Sequence, residues 1–131
     1  MGAGMVRRLL GRGDEVVVWN RTPAKSQQLA AEFQAEPGRV TVAASPAEVL
    51  QACDRTFSML STPAAAREVF FAPDGVLAGV KPGKALVDCA TLEAKDMEEF
   101  DQAVKSKGGR FLEAPVSGSK VPAEQVNRVR A

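Results

Sequence analysis

Residues Val16–Lys25, VVVWNRTPAK, compress a strand, a turn and a helix start into one short stretch. Val16, Val17 and Val18 are β-branched in succession, and Trp19 adds a large apolar surface. A run without polar alternation predicts a strand covered by helices on both faces, as in a parallel α/β sheet. Thr22 then stands as an N-cap, with Pro23 at the first helical position, where its missing N–H is no loss. Such a junction demands a fold that alternates strands with helices.

The rest of the chain repeats that alternation. Met5, Val6, Leu9 and Leu10 place apolar side chains on one stripe of a helix from about Gly2 to Arg12, which Gly11 and Gly13 end. A strand at Glu15–Trp19 follows, then a helix over Pro23–Ala35 with Leu29 and Phe33 facing inward. Val40–Ala43 reads as a short strand. Ser45-Pro46-Ala47-Glu48 is a capping box that starts a helix running to about Cys53. Thr56–Leu60 is the next strand, and Thr62-Pro63 opens a helix to about Phe70. Pro73-Asp74-Gly75 and Lys81-Pro82-Gly83 are turns. Ala85–Cys89 reads as a buried strand and Glu93–Lys107 as an amphipathic helix carrying Met97, Phe100 and Val104. Gly108-Gly109 stops that helix, and Phe111–Leu112 begin a last strand. Beyond Pro115 no element is assigned. The pattern predicts a doubly wound parallel sheet that opens on a helix, with no strand before it.

Composition narrows the function classes. The 131 residues suit one domain with a single core. A net charge of +1 gives no global field for nucleic acid or an anionic membrane. No apolar run approaches ~20 residues, the length that spans a bilayer, and the start, MGAGMVRRLL, is no secretory signal. Cys53 and Cys89 are isolated thiols without CxxC spacing, which favours a reducing, intracellular setting. The chain has no His, so His-based acid–base chemistry and His metal ligands are excluded within it, and no metal site is expected.

Several stretches fall where an open α/β sheet binds ligands, outside the carboxyl ends of its strands. In a dinucleotide fold, an acid after the second strand holds the 2′-hydroxyl of NAD, whereas an Arg there accommodates the 2′-phosphate of NADP. Asn20, Arg21 and Thr22, with Lys25 one turn on, offer no acid and two cations. Charge alone fits an exposed, capped helix start with solvated cations; the place behind a buried strand favours a phosphate pocket. Gly2-Ala3-Gly4 supplies at most the third glycine of GxGxxG. Ser58–Pro63, SMLSTP, is either a ligand-facing loop or a plain strand–cap junction. Asp88–Thr91, DCAT, is another strand end, where Thr91 could serve as a helix cap. In Ala114–Lys120, APVSGSK, the hydroxyls of Ser117 and Ser119 and the backbone N–H groups suit a carboxylate, or a bland loop.

Taken together, WNRTPAK, SPAEV, MLSTP, GVLAGVKPGK and GGRFLEAPVSGSKVPAE resemble the β-hydroxyacid (3-hydroxyisobutyrate) dehydrogenase family, most of all its glyoxylate/succinic semialdehyde reductase branch. The resemblance runs from Gly2 to about Glu124. It implies an NADP-binding Rossmann domain, with the family's hydride transfer from NADPH to small aldehydes, giving hydroxy acids. On matching positions, Gly2 is similar to the last glycine of the phosphate loop, Asn20, Arg21 and Thr22 to the 2′-phosphate corner, and Leu60, Ser61, Thr62 and Pro63 to the loop over the cofactor. Thr91 resembles a residue near nicotinamide and substrate. Ser117, Gly118 and Ser119 resemble the substrate-carboxylate loop, with Lys120 flanking it. Ala90 stands where relatives have Ser. The family's first, central strand and the first two glycines of GxGxxG have no counterpart here. Its catalytic Lys and the helical second domain that makes the oligomer fall beyond residue 131. Residues 1–131 are therefore expected to be a partial cofactor domain, inactive alone, that holds no catalytic residue.

Overall fold

The computed structural model of the chain describes residues 2–36 and 38–116. Eleven elements alternate along them: α1 (Gly2–Gly11), β1 (Val16–Val18), α2 (Pro23–Ala31), β2 (Val40–Val42), α3 (Pro46–Ala52), β3 (Arg55–Ser58), α4 (Pro63–Phe71), α5 (Val76–Gly79), β4 (Ala85–Asp88), α6 (Ala94–Ser106) and β5 (Arg110–Glu113). Every described strand pair is parallel. The alternation expected from the sequence is present; β1, β2 and β4 are a residue shorter at one or both ends, while β3 and β5 begin one residue earlier than expected, at Arg55 and Arg110, and β3 ends at Ser58. Helix α2 stops at Ala31 rather than Ala35, because residues 32–35 close into tighter turns, as in Phe33 N–H to Ala30 O at 3.1 Å. Helix α5, between the two Pro/Gly turns, carries too short an apolar pattern to be legible beforehand.

The strands form two sheets. One pairs β1 with β2; the other has the order β3-β4-β5. Among the described residues no strand lies between β1 and β3. A doubly wound sheet of order 3-2-1-4-5-6 that lacks its first strand leaves this pair and this triplet. The facing rims are legible in the ladders. Val16 and Val18 bond toward β2, through Val16 N–H to Arg39 O and Ala43 N–H to Val18 O, both 2.9 Å. Alternation therefore turns the Val17 backbone away. In β3, Asp54 and Ser58 accept from Ala85 and Cys89, so Arg55 and Phe57 turn away from β4. Helix α3 touches both β1 and β3 and spans the division.

Packing is one-sided. Leu50, Ala66, Val69, Phe70, Val76, Val80, Leu86, Met97, Phe100 and Val104 form the core, all from α3 onward, with Trp19, Leu60 and Phe111 packed against it. The core lies on the face of the triplet that carries Leu86 and Phe111, beneath α4 and α6. The opposite face carries the row Phe57–Val87–Leu112, in which Phe57 is 49% and Leu112 59% exposed. Consecutive right-handed crossovers in one direction deposit their helices on the same face, which is why α4 and α6 leave the other open. The expectation of strands covered on both faces is thus corrected: Val16, Val17 and Val87 are only half-buried.

Candidate dinucleotide site

Four segments reach the carboxyl ends of the strands. Helix α1 begins at Gly2, where an added Cβ would lie 3.8 Å from the Met59 Cβ, so its N-terminus stands beside the end of β3. Its unpaired N–H groups and dipole make that end receptive to a phosphate. After β1, Asn20 Oδ1 accepts the Thr22 N–H at 2.9 Å and tightens the turn. Thr22 occupies the N-cap of α2 with Pro23 behind it, as expected, but its hydroxyl makes no capping bond. The Asn20 side chain has taken over the local turn instead. Arg21 Nη1 lies 3.7 Å from Glu68 Oε2 of α4, both side chains exposed. That contact brings the β1 corner against the middle of α4, the helix that follows β3. Lys25 is exposed at the first turn of α2.

The β3 end is more firmly built. Leu60 packs against the core, Ser61 is exposed, and Thr62 Oγ1 accepts the Ala65 N–H at 3.1 Å to cap α4 ahead of Pro63. Beyond β4, Thr91 is exposed and does not cap a helix: α6 begins at Ala94 with Glu93 in the cap position. Its hydroxyl is thereby left out of the fold's own helix-starting machinery. Ser117, Gly118, Ser119 and Lys120 lie outside the described residues. The chain heads there by crossing the end of β4, with the Val116 N–H donating to Cys89 O at 3.2 Å.

Sequence reasoning missed the chemistry beneath these loops. Asp88 is fully buried at the end of β4. Its Oδ2 accepts the Ser58 hydroxyl from the opposite position of β3, and its Oδ1 accepts the Ala90 N–H at 2.9 Å. Burial pushes the carboxyl above the usual aspartate range, against the two hydrogen bonds that pull it down. Burial, and then the Asp88 charge, push the Cys89 thiol up as well. The only signal in the sequence was an acid closing an apolar strand. Among the described residues no group of His, Cys, Asp or Glu side chains could hold a metal, and no helix is long and apolar enough to cross a membrane.

The donor set fits a dinucleotide at one end: a helix N-terminus, two cations and a hydroxyl on adjacent corners. Comparison with known proteins agrees. The family described as the NAD binding domain of 6-phosphogluconate dehydrogenase matches residues 1–128. The chain is 48% identical over 120 residues to the cytokine-like nuclear factor N-PAC of Danio rerio, covering 92% of this chain and 25% of that protein. It is 45% identical over 124 residues to glyoxylate/succinic semialdehyde reductase 1 of Arabidopsis thaliana, covering 95% of this chain and 41% of that protein. The chain thus spans a quarter to two-fifths of the length of these relatives. Its fold superposes on Psf3 in complex with NADP+ and 2-OPP at a TM-score of 0.83 and 28% identity, covering 95% of this chain and 42% of that one. Against the Mycobacterium tuberculosis 3-hydroxyisobutyrate dehydrogenase with L-serine the TM-score is 0.80 at 30% identity, covering 95% and 40%. The sheets, the strand-end corners and these matches together establish that the chain belongs to the family of the NAD binding domain of 6-phosphogluconate dehydrogenase.

Proposed function

We propose that this chain is the NADP(H)-binding domain of an oxidoreductase that reduces small aldehydes, such as glyoxylate or succinic semialdehyde, to hydroxy acids. The observation that carries this reading is the β1 corner, which holds the cations Arg21 and Lys25 and no acid, with Asn20 folding the turn and the Thr22 hydroxyl outside the cap. The bound nicotinamide supplies the hydride. The chain's own part is to seat the adenosine phosphates at the α1 N-terminus and the Arg21 corner, and to hold Leu60–Pro63 and Thr91 over the reactive half. Ser117, Gly118 and Ser119 receive the substrate carboxylate in this reading. The developing alkoxide still needs a proton donor. No residue of this chain is assigned that role, so the isolated chain is inactive. The free thiols Cys53 and Cys89 suit a reducing, intracellular compartment.

A thermal-shift titration with NADPH and, separately, NADH tests the cofactor assignment. Ligand that binds only the folded chain raises its melting temperature by mass action. A cooperative melt shifted by NADPH and not by NADH is expected; a melt that neither moves overturns the reading. An assay of NADPH oxidation with glyoxylate or succinic semialdehyde should show no appreciable turnover, and robust turnover overturns the claim of inactivity.

A second reading is a nucleotide-binding or interaction module without catalysis. The match to the cytokine-like nuclear factor N-PAC, at 48% identity against 45% for the reductase, favours it. Mixing the chain with a partner that carries the family's catalytic Lys helix discriminates the two: restored activity supports the reductase.

A further inference from the structure

An apolar residue would suit the end of β4 better than an acid, because a buried carboxylate has no water to replace its lost hydration. Asp88 is nonetheless wholly enclosed. What a carboxylate offers there is two acceptors in one rigid plane. One takes the Ser58 hydroxyl of β3, at the root of the Met59–Pro63 loop. The other takes the Ala90 N–H, one residue before Thr91. Strands β3 and β4 are already paired up to Ser58↔Asp88, and the last ladder bond, Cys89 N–H to Ser58 O, is 2.9 Å. The ladder stops there, and the Asp88 side chain joins the residues on either side of its end.

We propose that Asp88, with Ser58, is a positioning pair that fixes the spacing between the Leu60–Pro63 loop and Thr91, and so shapes the nicotinamide half of the dinucleotide site. The inference rests on the NADP(H) reading above. Asp88 touches no cofactor in this scheme and acts through the loops. Substitution to Asn preserves the tie: Oδ1 still accepts from Ala90, and the amide nitrogen donates to a Ser58 hydroxyl that accepts as readily as it donates. Substitution to Ala leaves the Ala90 N–H and the Ser58 hydroxyl without their partner.

The test measures the affinity of the chain and its variants for NADPH and for 2′,5′-ADP, which carries the adenosine end alone. Asp88→Ala, which removes both hydrogen bonds, is expected to weaken NADPH at least about tenfold, the scale on which a single lost charged hydrogen bond acts, and to leave 2′,5′-ADP unchanged. Asp88→Asn is expected to restore parental NADPH affinity. Where Asp88→Ala gives no cooperative melt, Ser58→Ala serves in its place, removing the cross-strand bond while Asp88 keeps Ala90. Equal losses for both ligands, or no loss for either, overturn the proposal. So does a parent that binds NADPH no more tightly than 2′,5′-ADP. A parent that binds neither ligand overturns the NADP(H) reading itself, and the positioning role falls with it.

Discussion

Phe100 and Asp88 are both sealed from solvent, and they answer to substitution in opposite ways. Phe100 stacks on Phe70 with ring centroids 4.2 Å apart at the centre of the core. Phe100→Ala is expected to cost about 3–5 kcal/mol through lost burial and the cavity left behind, read as a fall in the urea midpoint at constant slope. Asp88 instead ties stability to pH. Its folded carboxyl keeps its proton to a higher pH than the unfolded chain's does. Its contribution is therefore fully present below the ordinary aspartate range and lost as pH rises through the folded value. Urea midpoints of Asp88→Asn and parent, measured across that window, should diverge in favour of the variant as pH rises and then run parallel. Glu99 opposes this weakly: the Arg67 hydrogen bond holds its carboxyl low, so its share is lost as pH falls, but the pair is exposed. Phe100 was legible in the sequence as one of three apolar residues at helical spacing in α6. Asp88 was not, since no periodicity reveals that a strand-end acid is enclosed rather than solvated.

Among the elements, the capped helices were the most legible. Ser45 accepts the Glu48 N–H at 3.2 Å, while Glu48 Oε2 takes the Ala44 N–H at 2.8 Å. Thr62 repeats the first of these bonds in α4. Local side chains decide such starts, so four-residue patterns suffice to find them. Packing between distant elements leaves no such trace. Lys84 is buried and reaches back across the start of β4 to donate to the carbonyls of Gln51 and Cys53, at 3.0 and 3.1 Å, which closes the end of α3. Helix α5 presses on α3 through Gly79, where a Cβ would meet the Ala47 carbonyl and come within 2.7 Å of the Leu50 Cβ. Gly79→Ala is expected to push α5 off α3 and destabilise by about 1–3 kcal/mol, the range for overpacking; chemical denaturation measures it. An unchanged midpoint would show that α5 yields without strain.

At the scale of the whole molecule, the core belongs to the β3-β4-β5 half, and the β1–β2 half is held by fewer buried apolar side chains, among them Leu10, Val18, Leu29 and Ala43. Stability should be distributed accordingly. Native-state hydrogen exchange is expected to release the amides of α2, β1 and β2 well before those of β4 and α6; equal protection would contradict the division. The Arg21 corner sits on the weaker half, so NADPH should slow exchange there most. The strand–helix alternation was open to reading because it is written in contiguous residues. The division into two sheets followed from strand order, a property of the whole. The side from which α4 and α6 cover the triplet was hidden, because Phe57, Val87 and Leu112 look in sequence like any buried strand positions.

That open row has a practical consequence for anyone handling the chain. Fluorescent dyes such as ANS report apolar surface, and their binding is commonly read as the mark of a molten globule. Here the fully folded protein presents Phe57 and Leu112 side by side with Val87. It should brighten the dye while its near-ultraviolet circular dichroism remains that of a packed core. Substituting Leu112 with Glu should quench the signal without altering the melt, and dye fluorescence alone would be a false witness to disorder in this chain.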